Sequence, residues 1–141
     1  ILEWTGTRDY AAYLSVPAAI HFQAERNWAE VRCACHVLLA DAIQQVCELS
    51  GLPHPYAGRE RAFIQMGIAP LPALNDPRAA QLWLYEKHRV EVPFTVWNGR
   101  SFARISVQAY NTSEDIDRLL AGLEELFEQR AFAGANANPS T

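Results

Sequence analysis

Val90-Glu91-Val92-Pro93-Phe94-Thr95-Val96-Trp97-Asn98-Gly99-Arg100-Ser101-Phe102-Ala103-Arg104-Ile105-Ser106-Val107-Gln108-Ala109-Tyr110 is the stretch from which the architecture can be read. Val90, Val92, Phe94 and Val96 recur at every second position, the period of a half-buried strand. Asn98-Gly99 is the strongest hairpin signal in the chain, because both residues accept the positive φ of a tight two-residue turn. The returning strand, Arg100 to Tyr110, divides by parity. Ala103, Ile105, Val107 and Ala109 face one way, and Phe102, Arg104, Ser106, Gln108 and Tyr110 the other.

Working outward, Ala62 to Ala69 alternates enough for another strand, with Ile64, Met66 and Ile68 on one side. Asp76-Pro77 caps and opens a helix that runs to about His88. Thr112 or Ser113 caps a last helix, whose acids Glu114, Asp115 and Asp117 sit where the helix dipole favours them. Its apolar stripe is Ile116, Leu119, Leu120, Leu123, Leu126 and Phe127. Together these make a βαββα pattern. Further upstream, Asn27 to Ser50 carries Trp28, Val31, Cys35, Leu38, Ala42, Val46 and Leu49 at helical steps, and Gly51 supplies the stop. Asp9 caps a helix to about Val16, Pro17 breaks or restarts it, and a second piece runs from Ala18 to about Ala24. The predicted fold class is α+β: a small, mainly antiparallel sheet with helices packed on one face.

At 141 residues and 50% hydrophobic, the chain suits one domain with its own core and is too apolar for disorder. No apolar run approaches the ~18 residues of a membrane span. A net charge of −4 argues against nucleic acid or an anionic membrane as partner. The chain opens Ile1-Leu2-Glu3 without signal peptide or transit sequence, and we expect it to be a piece of something longer. Residues 131–141, AFAGANANPST, are expected to form a flexible tail. Cys33, Cys35 and Cys47 share one helical segment in which no pair can bridge or share a metal. Reduced, buried thiols in a cytoplasmic protein are the expectation.

Arg104 lies mid-strand among Phe102, Ser106, Gln108 and Tyr110, a setting that suits a carboxylate or phosphate gripped by two parallel N–H bonds. The same spacing also allows a structural arginine paired with an acid such as Glu91. Gly6-Thr7, beside a helix start, offers a hydroxyl and a free N–H that can hold phosphate oxygens. The histidines show no metal-binding spacing, so no metal site is expected, and no serine sits in a nucleophile elbow. Of the 12 lysines and arginines only Lys87 is a lysine, and its charged helix-end setting is wrong for an imine-forming amine.

Two stretches considered together resemble a known family. Trp4-Thr5-Gly6-Thr7-Arg8-Asp9 with Ala12-Tyr13-Leu14-Ser15-Val16-Pro17-Ala18-Ala19 resembles the late large-domain segment of class V pyridoxal-phosphate enzymes, in the isopenicillin N epimerase-like branch. Arg104-Ile105-Ser106-Val107-Gln108-Ala109-Tyr110-Asn111-Thr112, followed by Glu114-Asp115-Ile116-Asp117, resembles that family's C-terminal strand and helix. Leu84-Tyr85-Glu86-Lys87-His88-Arg89-Val90-Glu91-Val92-Pro93 fits the same pattern between them.

The resemblance implies the C-terminal small domain of a fold-type I enzyme. Residues 1–24 would be the end of a missing N-terminal large cofactor domain, and 25–130 the small domain. It implies that Arg104 binds the α-carboxylate of an amino-acid or small-peptide substrate. Gly6 and Thr7 would reach the cofactor phosphate of a neighbouring subunit in a homodimer, and Tyr110 and Asn111 would steady the strand end. The family's cofactor lysine has no counterpart here, so this chain alone is expected to bind no pyridoxal phosphate and to be inactive. No cysteine precedes the Arg104 strand as in cysteine desulfurases, which favours an epimerase- or aminotransferase-like parent. The rival reading is a stand-alone βαββα binding or regulatory module that dimerises.

Overall fold

The computed structural model describes residues 9–59, 62–129, 132 and 134. The chain divides into two compact units, the first ending at Val31 and the second beginning at Arg32. The first holds α1 (Ala11–Leu14) and α2 (Val16–Glu25). The Asp9 carboxylate accepts the Ala11 N–H at 2.8 Å, and Pro17 sits in the first turn of α2, where its missing N–H costs nothing. Neither helix has a buried residue. Tyr10, Tyr13 and Leu14 are exposed, as are Ile20 and Phe22 further along.

The second unit takes in most of α3 (Trp28–Ser50), then β1 (Met66–Leu71), α4 (Pro77–His88), β2 (Phe94–Trp97), β3 (Arg100–Ser106) and α5 (Ser113–Glu128). The sheet is antiparallel throughout, in the order β1-β3-β2. The βαββα pattern and the α+β class are thus realised. Asn98 at φ 51° and Gly99 at φ 73° make the hairpin turn, with Trp97 opposite Arg100. Asp76 accepts the Ala79 N–H at 2.9 Å and caps α4. The Asp115 carboxylate accepts the Thr112 N–H at 3.1 Å at the start of α5.

The strands are shorter than the alternation suggested. The first begins at Met66 rather than Ala62, and the second at Phe94 rather than Val90; Pro93 accepts a backbone bond from Arg104 but has no N–H to return. The last ends at Ser106. Ile64, Met66 and Ile68 do share a side, but it is the outer one; Gly67, Ala69 and Leu71 are buried instead. On α3 the buried face is wider than the stripe of three- and four-residue steps, adding Leu39, Ile43 and Cys47.

Two glycines allow the layers to approach. A Cβ on Gly67 would stand 2.8 Å from Ile43 Cδ1, so α3 lies directly against β1. A Cβ on Gly122 would stand 2.5 Å from Leu84 Cδ1, so α5 seats on α4. Each edge strand has an outward donor occupied by a side chain. On β1 the Ile68 N–H donates to the Tyr56 hydroxyl at 2.9 Å, and Pro70, two residues on, has no N–H. On β2 the Phe94 N–H donates to Gln81 Oε1 at 3.2 Å. Within the stretch expected to form a tail, Phe132 and Gly134 exchange backbone bonds with Asn75 and Ala73, at 3.1 and 2.7 Å. The rest of that stretch lies outside the described residues.

Candidate functional site

Arg104 is placed by the hairpin register. It stands opposite Ile68 on β1, and its backbone N–H donates to the Pro93 carbonyl at 2.9 Å. This fixes the side chain on the outer face of the sheet, where it is exposed. Among the described residues the guanidinium makes no hydrogen bond and no ion pair, with Glu91 or any other acid. Five N–H donors are therefore available to an incoming anion. Ser106 lies two residues along on the same face, with Met66 opposite it. The neighbouring cation is already engaged, since the Arg100 guanidinium lies 5.3 Å from the Phe102 ring centroid.

Parity stops at Ser106, and the residues beyond it do other work. Gln108 turns sideways, its Oε1 accepting from Gln65 Nε2 at 3.1 Å. Asn111 Oδ1 accepts the Gln108 N–H at 2.9 Å, while its Nδ2 donates to Asp115 at 3.3 Å. This ties the end of β3 to the first turn of α5. Tyr110 is exposed and takes no such part. Gly6 and Thr7 lie outside the described residues.

Lys87 donates to Glu125 and lies 5.2 Å from the Trp83 ring centroid. His88 Nε2 stands 3.1 Å from the other Glu125 oxygen, so both basic residues of the last α4 turn hold α5. Among the described residues, then, Arg104 keeps an unpaired guanidinium, whereas Lys87 is engaged with Glu125. The Lys87 hydrogen bond, helped by its charge and by His88, holds the Glu125 carboxyl below the usual glutamate range, against the opposing effect of desolvation. A depressed carboxyl contributes stability that is present above its unfolded pKa and lost as pH falls through the folded one. Urea midpoints measured downward from about pH 4.3, the ordinary glutamate value, should therefore fall more steeply for the parent than for Glu125→Gln.

A second polar group was not foreseen from sequence. Arg32, Cys33 and His36 on α3 line an open cavity of about 370 Å³ with Phe63 and Ile64. Cys33 is exposed, correcting the expectation of three buried thiols, whereas Cys35 and Cys47 are buried. Burial, with the charge of Glu48, pushes the Cys47 thiol up. The signal available was the spacing of Arg32, Cys33 and His36 on a helix. The apolar stripe, counted from Cys35, drew attention to the other face. Among the described residues no group of three or more His, Cys, Asp or Glu could hold a metal ion. Nor is any described helix long and apolar enough to cross a membrane.

No family model matches the chain. It is 32% identical over 125 residues to the isopenicillin N epimerase of Amycolatopsis lactamdurans. To the isopenicillin N epimerase of Streptomyces clavuligerus it is 30% identical, again over 125 residues. Each match takes in 89% of this chain and 31% of the relative. Over most of its length, then, the chain is similar to two isopenicillin N epimerases, of which it spans about a third.

Proposed function

We propose that the chain is the C-terminal part of a pyridoxal-phosphate-dependent enzyme of the class V aminotransferase family, in the isopenicillin N epimerase-like branch. Its substrate is an amino acid or small peptide, and the parent is an epimerase or aminotransferase. Residues 1–24 close a large cofactor domain and 25–130 form the small domain, with 131–141 a tail. The parent is a cytoplasmic homodimer in which Gly6 and Thr7 reach the partner's cofactor phosphate.

The observation that carries the reading is the free guanidinium of Arg104, held mid-strand by a rigid hairpin within a stretch that aligns with both relatives. The cofactor, when bound, draws electrons from the substrate's α-carbon so that its proton can leave. Arg104 grips the carboxylate on that carbon through two parallel N–H bonds and so fixes which bond faces the reacting centre. Ile68 and Met66, across the strand, border the cation with apolar surface. Asn111 keeps β3 in place by tying it to α5.

The test is to load the longer protein with pyridoxal phosphate, reduce it with borohydride and map the labelled peptide. The label is expected on a lysine upstream of this chain, with Lys87 unlabelled. This chain alone should take no label and show no turnover. Label on Lys87 would overturn the assignment.

A further inference from the structure

We infer that Arg100 is a specificity-determining residue, a second anion contact that selects substrates with an acidic group remote from the α-carboxylate. The inference rests on the reading of Arg104 as the carboxylate clamp and deepens it. Arg100 and Arg104 project from one face of β3, as parity requires of residues four apart on a strand. Both are exposed, and neither forms an ion pair among the described residues.

The register supplies the rest of this face. Trp97 stands opposite Arg100, Thr95 and Pro70 flank Phe102, Ile68 is opposite Arg104 and Met66 opposite Ser106. None of these is acidic, although the chain holds 16 acids and has a net charge of −4. Two cations on one sheet face without a counter-charge repel each other, and an anion that meets both relieves the repulsion.

Arg100 is also aimed. Its guanidinium carbon lies 5.3 Å from the ring centroid of Phe102, the residue between the two arginines on that face. The side chain therefore inclines along the strand toward Arg104 rather than out past the hairpin turn. Contact with the ring engages only the flat face of the guanidinium and leaves the N–H groups at its edge able to donate. The two backbone positions are about 13 Å apart at ~3.3 Å per residue, and the incline brings the cations nearer than that. A substrate held by its α-carboxylate on Arg104 can reach Arg100 only with a second acidic group several bonds away. The class selected is a long dicarboxylic amino acid, or a small peptide acidic at its far end.

The experiment is calorimetric titration of the longer protein with three probes. Suberate carries two carboxylates on a long methylene chain, succinate two on a short one, and octanoate has the length of suberate with a single carboxylate. Arg100→Gln should weaken suberate about fivefold, the scale of an exposed ion pair, and leave octanoate nearly unchanged. Succinate, too short to meet both cations, should lose much less than suberate. Arg100→Lys should restore much of the suberate affinity, and Arg104→Gln should weaken all three probes. Parental affinity for suberate in Arg100→Gln would overturn the inference and leave the Arg104 clamp standing. Equal losses for succinate and suberate would do the same, because a merely cationic surface does not measure length. Unchanged octanoate binding in Arg104→Gln would overturn the clamp itself, and the inference with it.

Discussion

Arg104→Gln in the longer enzyme should lower kcat/KM for an amino-acid substrate by about two to three orders of magnitude, the worth of two charge-assisted hydrogen bonds. Glutamine keeps a donor on the strand but loses the cation and the fork. Arg104→Lys should fall between, because an ammonium keeps the charge and cannot make two parallel bonds. The residue is exposed and unpaired among the described residues, so folding should hardly change in either variant. An amine analogue of the substrate that lacks the carboxylate should show the parental rate with both variants. If Arg104→Gln changed kcat/KM by less than about threefold, the guanidinium would not be the carboxylate clamp.

Leu84→Ala should cost about 2–5 kcal/mol, a large part of the roughly 5–15 kcal/mol that holds a domain of this size. Leu84 is fully buried, and its Cδ1 fills the notch that Gly122 leaves in α5. Removing it takes away the contact by which the two helices seat, and the rigid notch cannot collapse to close the gap. Urea unfolding should show a lower midpoint with an unchanged slope. The pair offers a sharper test. Gly122→Ala alone should destabilise despite alanine's higher helix propensity, because the new methyl meets Leu84. In the Leu84→Ala background the closest clash is gone and only the His88 ring, 3.1 Å from the new methyl, remains, so the same change should cost less. Equal effects in the two backgrounds would show that Leu84 is not what crowds Gly122.

Much of the fold was legible because its local signals are chemical. Asn98-Gly99 specifies a turn, Asp76-Pro77 a helix start and Gly51 a helix end, and each stands where the residues say. What could not be read was which side of a strand faces inward. Ile64, Met66 and Ile68 look like a core face, yet they lie outside, because the partner layer is a helix close enough to demand Gly67 and Ala69. Periodicity tells that two faces differ but not which one a third element covers. Parity set Arg104 on the side opposite Ala103 and Ile105, but did not show that this side is the outer one, and Phe102 on the same side is buried. Nor was Arg104's lack of a partner legible, since Glu91 remained a plausible neighbour until the loop around Pro93 was seen to carry it out of the strand. Arg32, Cys33 and His36 went unread because their common cavity is completed by Phe63 and Ile64, about thirty residues further along the chain.

The interrupted sheet edges have a consequence for how this protein meets others. A three-stranded sheet would ordinarily be able to grow sideways, strand upon strand, into filaments. Here the Tyr56 hydroxyl and the Gln81 amide each occupy one outward N–H, and Pro70 has none to offer, so the row of donors along either rim is broken. A neighbouring strand finds gaps in the ladder it would need, which favours contact through side chains over contact through the backbone.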